Sequence, residues 1–400
     1  MTTDDVQHLE AGHVLQTYRR APVVFTRGQG IFIYDEDGQQ YTDLISGIGA
    51  ASLGHSHPSL VSAIADQART LLHTSNLFFH PLQGQLARQL ADMSGLSRTF
   101  FCNSGAEAVE ACLKFAKRHW HTRGDAKRTE VIALEHSFHG RTFGALSTTS
   151  SEAYRVPFQP LLPGVQFIPV TVDALKTAVS SSTQAIIVEP IQGEGGIRPL
   201  PPAFAEALNE VCNRFDVPLI ADEVQCGLGR TGKPFYYQKL GLQPDLVAIG
   251  KALGGGVPVA AALVSERIAS TVSYGDHGST YGGNLLSCRA ALVFLDELIN
   301  KGLLDHVATI GPQVEKRLRA LAERRTEIVE VRGQGLMWGL EVNTDVDAIV
   351  DAARNHRLLI NRTSGSVVRL LPPLIITLEE IDQALETLEA AFTDVANKKS

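Results

Sequence analysis

Leu246-Val247-Ala248-Ile249-Gly250-Lys251-Ala252-Leu253-Gly254-Gly255-Gly256 holds most of what this sequence has to say about its own architecture. Four consecutive apolar residues with no polar alternation describe a strand buried on both faces, as in a parallel sheet covered by helices. The strand ends at a glycine, one lysine and then a run of glycines. A lysine flanked by Ile249 and Leu253 is placed where its amine can be desolvated, and burial lowers a lysine pKa and makes a nucleophile of it. The bare backbone that follows lets a ligand come close.

The same kind of apolar run recurs at 131–134, 185–188 and 218–221, alternating with helical stretches from about residue 58 to 290. Alternating strands and helices predict an α/β fold with a mostly parallel sheet. Ligands of such sheets bind outside the carboxyl ends of the strands, so the residues after each strand carry the most information. Thr99-Phe100-Phe101-Cys102 runs into Asn103-Ser104-Gly105-Ala106-Glu107, after which Ala108, Ala111, Cys112, Phe115 and Ala116 recur at helical spacing. That is a strand, a glycine turn and a helix start, whose free N–H groups suit a phosphate, although on this motif alone an ordinary capped helix is the first reading. The run at 185–188 leads into Glu189-Pro190-Ile191-Gln192-Gly193-Glu194-Gly195-Gly196, and the run ending at Ala221 leads into Asp222-Glu223-Val224-Gln225.

Outside this region the pattern changes. Residues 30–41 read as a hairpin around an acidic turn. Toward the C-terminus the periodicity predicts one helix over roughly 290–322, a glycine-broken strand over 331–342 and a helix over 346–355. A strand near 358–361 and a final amphipathic helix from Leu378 follow. With 400 residues the chain exceeds the ~250–300 at which single cores stop growing. The expected division is a large domain over 58–289, with 1–57 and 290–400 as the two parts of a smaller α+β domain.

Composition excludes several classes. Apolar residues make up 44% and charged residues 20%, with 36 Lys and Arg against 43 Asp and Glu, a net charge of −7. So mild an acidity, with no basic cluster, argues against a nucleic-acid surface. No run of ~18 apolar residues predicts a membrane span, and the acidic N-terminus lacks the shape of a signal peptide. Five cysteines form no CxxC pair and read as reduced, buried thiols of a cytoplasmic protein. Gly250-Lys251 is not the end of a nucleotide P-loop, since Ala252 stands where Ser or Thr is needed and Asp245 where a glycine is needed. Gly227–Gly232 matches G-x-G-x-x-G but leads into Pro234, Phe235 and Tyr236 instead of a helix. His55, His57, His136 and His139 lack carboxylates at ligand spacing and read as polar turn histidines, so no metal is expected.

A phosphate-holding helix start, an Asp after one strand and an isolated Lys after the next are together what pyridoxal phosphate needs: an anchor, a partner for its ring nitrogen and a Schiff-base lysine. With this set in place, the sequence resembles the class III aminotransferases of the ornithine, acetylornithine and 4-aminobutyrate type. The likeness runs through Leu53–Pro58, His73–Asn76, the four strand ends, Phe138–Thr142, His277–Asn284 and Val368–Pro373, nearly the whole chain. Within the family it is most similar to the acetylornithine branch, on His73–Asn76, Asp222–Gly232 and His277–Asn284.

The resemblance implies a fold type I transferase with a seven-stranded sheet, a homodimer with shared active sites, and a role for each matching residue. Lys251 would bond the cofactor and shuttle the proton. Asp222 would pair with the ring nitrogen and Gln225 with the ring hydroxyl, while Phe138 and Val224 would cover the two ring faces. Ser104, Gly105 and Ala106 would hold the phosphate, completed by Thr280 of the partner subunit. Arg369 would grip the α-carboxylate of glutamate, Glu194 would neutralise Arg369 when the other substrate enters, and Arg141 would take the remaining carboxylate, with Ser279 also at the substrate. The implied reaction moves the terminal amino group of N2-acetylornithine to 2-oxoglutarate, in arginine metabolism. Succinylornithine, ornithine and 4-aminobutyrate are alternative donors, and an aminomutase or lyase is the alternative chemistry. Asn361-Arg362-Thr363 and Val109 depart from the acetylornithine pattern, and Tyr18 matches a tyrosine near the carboxylate site in ornithine enzymes.

Overall fold

The structure, a computed structural model, describes residues 2–398. Seventeen strands appear among them in chain order: β1 Phe25–Gln29, β2 Phe32–Asp35, β3 Gln40–Asp43, β4 Arg98–Cys102, β5 Glu130–Leu134, β6 Val165–Ile168, β7 Thr183–Val188, β8 Ile191–Gln192, β9 Arg198–Pro199, β10 Leu219–Asp222, β11 Leu246–Ile249, β12 Ala260–Val264, β13 Ile328–Gln334, β14 Met337–Val342, β15 Leu358–Leu359, β16 Asn361–Thr363 and β17 Val367–Leu370. The central sheet has seven strands in the order β4-β12-β11-β10-β7-β5-β6. Only β12 runs against its neighbours, pairing antiparallel with both β11 and β4.

The apolar runs are buried on both faces, as expected. Ile186, Val188, Leu219, Ala221, Val247 and Ile249 pack into one cluster with Phe204 and Leu208 of the helix Pro202–Phe215 and with Cys288 and Phe294 of the helix Leu285–Leu295. Their sequence neighbours Ala185, Ile187, Ile220, Leu246 and Ala248 point the other way, against Ala108, Cys112 and Phe115 of the helix Gly105–Thr122. A period of two along each strand therefore feeds two separate cores, one per face.

The terminal segments meet. The predicted hairpin forms from β2 and β3, and β3 also pairs in parallel with β15, Thr42 opposite Leu358. Leu371 N donates to Leu44 O at 2.8 Å and Ser46 Oγ to Leu371 O at 2.6 Å. Arg230, 2% exposed, ties three segments by donating to Leu336 O, Pro372 O and Ser52 Oγ.

Three expectations for the C-terminal third need correcting. The single helix over 290–322 is two, Leu285–Leu295 and Leu303–Arg324, separated by a wider turn at Asp296–Asn300. The strand over 331–342 is a hairpin, β13 and β14, turning at Gly335, whose φ of +61° is the left-handed conformation glycine allows. The strand near 358–361 is divided between β15, which joins β3, and β16, which joins β17.

Candidate active site

The register of the central sheet brings three polar strand ends together. Asp222 closes β10 opposite Ala248 of β11, and Ala221 lies opposite Val188 of β7. Glu189, Asp222 and Lys251 therefore stand at or just after the ends of three adjacent parallel strands. They line one cavity of about 270 Å³ with Gly105, Ala106, Phe138, Arg141, Glu194, Val224 and Gln225. Nine of the thirteen residues singled out in the sequence thus border one space.

Lys251 begins the turn after β11 with a φ of +40°, a conformation uncommon for a side chain with a Cβ. Burial draws its ammonium below the ordinary lysine value. Glu194 opposes that pull, Arg369 adds to it, and Asp222 and Glu189 oppose it. The amine is therefore easier to keep neutral than one in water.

Asp222, 5% exposed, is held at both oxygens. His139 Nδ1 lies 2.7 Å from Oδ2, and Val224 N donates to Oδ1 at 3.1 Å. His139 is itself 3% exposed. The turn reading missed its role because its partner stands 83 residues later. Glu189, directly after β7, has no role that the sequence pattern assigns. Its carboxylate accepts from Phe138 N at 2.8 Å and Gly193 N at 2.9 Å, fixing the segments that carry Phe138 and Glu194. Burial raises its pKa.

Ser104 caps the helix Gly105–Thr122, its hydroxyl accepting from Glu107 N at 3.3 Å, while Asn103 N and Ser104 N donate to Glu107 Oε2 at 2.6 and 2.9 Å. Gly105 N–H and Ala106 N–H have no intrahelical carbonyl to bond, so this helix start faces the cavity with free donors. A Cβ at Gly105 would come within 2.6 Å of Val224 Cγ1, so only glycine lets this turn and Val224 pack so closely.

Arg369, 1% exposed, lies on β17 and forms an ion pair with Glu194. It also donates from Nε to Asn361 Oδ1 at 3.3 Å and approaches Gln225 Oε1 at 3.5 Å. Burial pushes the Glu194 carboxyl up, but Arg369, with Lys251 and Gln225, more than offsets this and leaves it below the usual value. Arg141 is exposed and lies 3.4 Å over the ring of Tyr154, a residue the sequence did not flag. Ser279 and Thr280 do not reach the cavity of their own chain. They line a separate surface pocket with Asn103, Glu107 and Tyr281.

Residues 14–392 match the model of the family described as Aminotransferase class-III. The acetylornithine aminotransferase of Methanocaldococcus jannaschii is 43% identical over 399 residues, 99% of this chain and 100% of that protein. That of Aquifex aeolicus is 43% identical over 378 residues, 94% of this chain and 98% of its own. Among solved structures, the ornithine aminotransferase of Toxoplasma gondii, with PLP at partial occupancy in its active site, superposes with a TM-score of 0.94 at 34% identity, covering 99% of this chain and 96% of the other.

Proposed function

The chain belongs to the class-III aminotransferases, and from that premise we propose that it moves the terminal amino group of N2-acetylornithine to 2-oxoglutarate, giving N-acetylglutamate 5-semialdehyde and glutamate. It is a pyridoxal-phosphate-dependent aminotransferase. The donor is proposed from the M. jannaschii and A. aeolicus relatives. The observation that carries the two-substrate reading is the Glu194–Arg369 pair beside Lys251.

The residues present fit the cofactor. The cavity offers a buried carboxylate with fixed orientation, a desolvated amine and a helix start with free N–H groups, which match a ring nitrogen, an aldehyde and a phosphate. When bound, pyridoxal phosphate supplies the electron sink that makes a proton on the substrate's amino-bearing carbon removable. Asp222, held by His139 and Val224 N, would keep a proton on the ring nitrogen. Gln225 would reach the ring hydroxyl, Phe138 and Val224 would cover the ring faces, and Ser104, Gly105 and Ala106 would hold the phosphate.

Lys251 Nζ takes the substrate carbon's proton and returns it on the other side of the transfer. With the donor bound, Glu194 stays on Arg369, so no uncompensated cation faces the donor. With 2-oxoglutarate bound, Glu194 turns aside and Arg369 pairs with the α-carboxylate, a geometry suited to a bidentate contact. Arg141 takes the remaining carboxylate in both halves.

The assembly proposed is a homodimer in which Thr280 and Ser279 complete the partner's site. Their distance from their own cavity and the exposed Leu77, Phe78, Phe79 and Tyr281 support it. Residues 1–57 and 290–400 are proposed to form one small domain, supported by the β3–β15 pairing, with Met1, Lys399 and Ser400 lying outside the described residues. A cytoplasmic setting is proposed from five free, buried cysteines. No helix among the described residues is long and apolar enough to cross a membrane.

A donor panel with 2-oxoglutarate as acceptor tests the substrate. N2-acetylornithine should give the highest kcat/KM among itself, N2-succinylornithine, ornithine and 4-aminobutyrate. A higher value for ornithine or 4-aminobutyrate would overturn the donor and leave the chemistry intact.

A further inference from the structure

The Glu194–Arg369 pair does not stand alone, because the short strand β16 touches both members. Residues two apart on a strand face the same way, and Asn361 and Thr363 both turn toward the pair. Asn361, opposite Arg369 in the antiparallel register, accepts from its Nε at 3.3 Å. Thr363, 4% exposed, donates from Oγ1 to the backbone carbonyl of Glu194 at 2.8 Å and lies 3.4 Å from that of Gly193. Arg362 between them faces outward and pairs with Asp347 at 2.6 Å. The far side of the same loop is tied as well, since Arg332 Nε donates to Gly196 O at 2.7 Å. The backbone around Glu194 is thus pinned on both sides, while its carboxylate arm is the more exposed member of the pair, 36% against 1% for Arg369.

We propose that Thr363 is a positioning residue for the Glu194 gate, its hydrogen bond to Glu194 O holding the loop where the carboxylate meets Arg369 and so favouring the closed pair. This rests on the proposed reading of Glu194 and Arg369 as a gate between two substrates. Releasing the tether lets the loop withdraw and leaves Arg369 unpaired more of the time. A dicarboxylate then binds more tightly, because it no longer competes with Glu194. The amine donor binds more weakly, because it meets an uncompensated guanidinium. A purely structural Thr363 would weaken both substrates together or lower kcat.

The test compares Thr363→Val, which keeps the volume and removes the donor, with Thr363→Ser, which keeps the hydroxyl, and uses Glu194→Gln as the gate control. Each cofactor-loaded protein is assayed for the KM of N2-acetylornithine and of 2-oxoglutarate. Calorimetry gives the Kd of glutarate, a dicarboxylate that cannot react. For Thr363→Val we expect the glutarate Kd and the 2-oxoglutarate KM to fall roughly three- to tenfold, the range one neutral hydrogen bond supplies, and the donor KM to rise by a similar factor. Thr363→Ser should return all three to within about twofold of wild type, again on the scale of one hydrogen bond. Glu194→Gln should shift them in the same directions as Thr363→Val. If Glu194→Gln shifts them and a folded Thr363→Val, checked by its melting temperature, does not, the role of Thr363 is wrong and the gate stands. If Thr363→Val does not fold, Thr363→Ala replaces it under the same criterion. If Glu194→Gln shifts nothing, the gate itself is wrong and the inference falls with it.

Discussion

His139 Nδ1 lies 2.7 Å from Asp222 Oδ2, joining the segment after β5 to the end of β10, and the other ring nitrogen, Nε2, is buried without a partner among the described residues. With Val224 N on the second oxygen, the carboxylate is held at both ends. A hydrogen bond to a charged group is worth about 1.5–3 kcal/mol. His139→Phe, which fills the volume without the bond, should therefore lower kcat/KM at least tenfold on that same scale. It should also release pyridoxal phosphate faster on dialysis, followed by loss of visible absorbance. Unchanged kinetics and cofactor retention would remove His139 from the site.

Among the described residues Arg141 has no carboxylate partner, and it is oriented by the ring of Tyr154, 3.4 Å from its guanidinium. Such a contact contributes roughly 0.5–2 kcal/mol. Tyr154→Ala should raise the KM of both substrates severalfold with kcat little changed, since Arg141 binds carboxylates in each half-reaction, and Tyr154→Phe should behave like wild type. A loss confined to kcat would contradict this placement.

Glu223, next to Asp222, is fully buried and accepts from Tyr237 N at 2.6 Å. Burial pushes its carboxyl up to about 7 from the ordinary 4.5. The folded state therefore holds this proton more tightly than the unfolded chain does. The stability it contributes is complete below about 4.5 and is lost as the pH rises through about 7, a change on the order of 3 kcal/mol. In urea unfolding from about pH 5 to 8, the wild-type protein should lose stability relative to Glu223→Gln. Parallel curves would show that Glu223 does not titrate in this window.

What could be read from the sequence was whatever lies close along the chain. Lys251 and Asp222 each follow an apolar run, and Gly105 opens a helix with its own apolar spacing, so strand ends, helix start and sheet class were all legible. What escaped depends on partners distant in sequence. His139 acquires meaning only beside Asp222, Tyr154 only under Arg141, and Glu189 only where its oxygens meet Phe138 N and Gly193 N. The break at Asp296–Asn300 was hidden because the helical spacing of Ala291, Phe294, Leu295 and Leu298 runs on into the wider turn. The reversal of β12 was hidden because a strand buried on both faces looks the same in either direction.

Amino transfer through Lys251 is followed most directly with N2-acetylornithine carrying heavy nitrogen at its terminal amino group, incubated with 2-oxoglutarate and the cofactor-loaded protein. Mass spectrometry should find the label in glutamate, one per semialdehyde formed, and no label transferred by Lys251→Ala. Label released as ammonia, or glutamate labelled at the wild-type rate by Lys251→Ala, would contradict the mechanism.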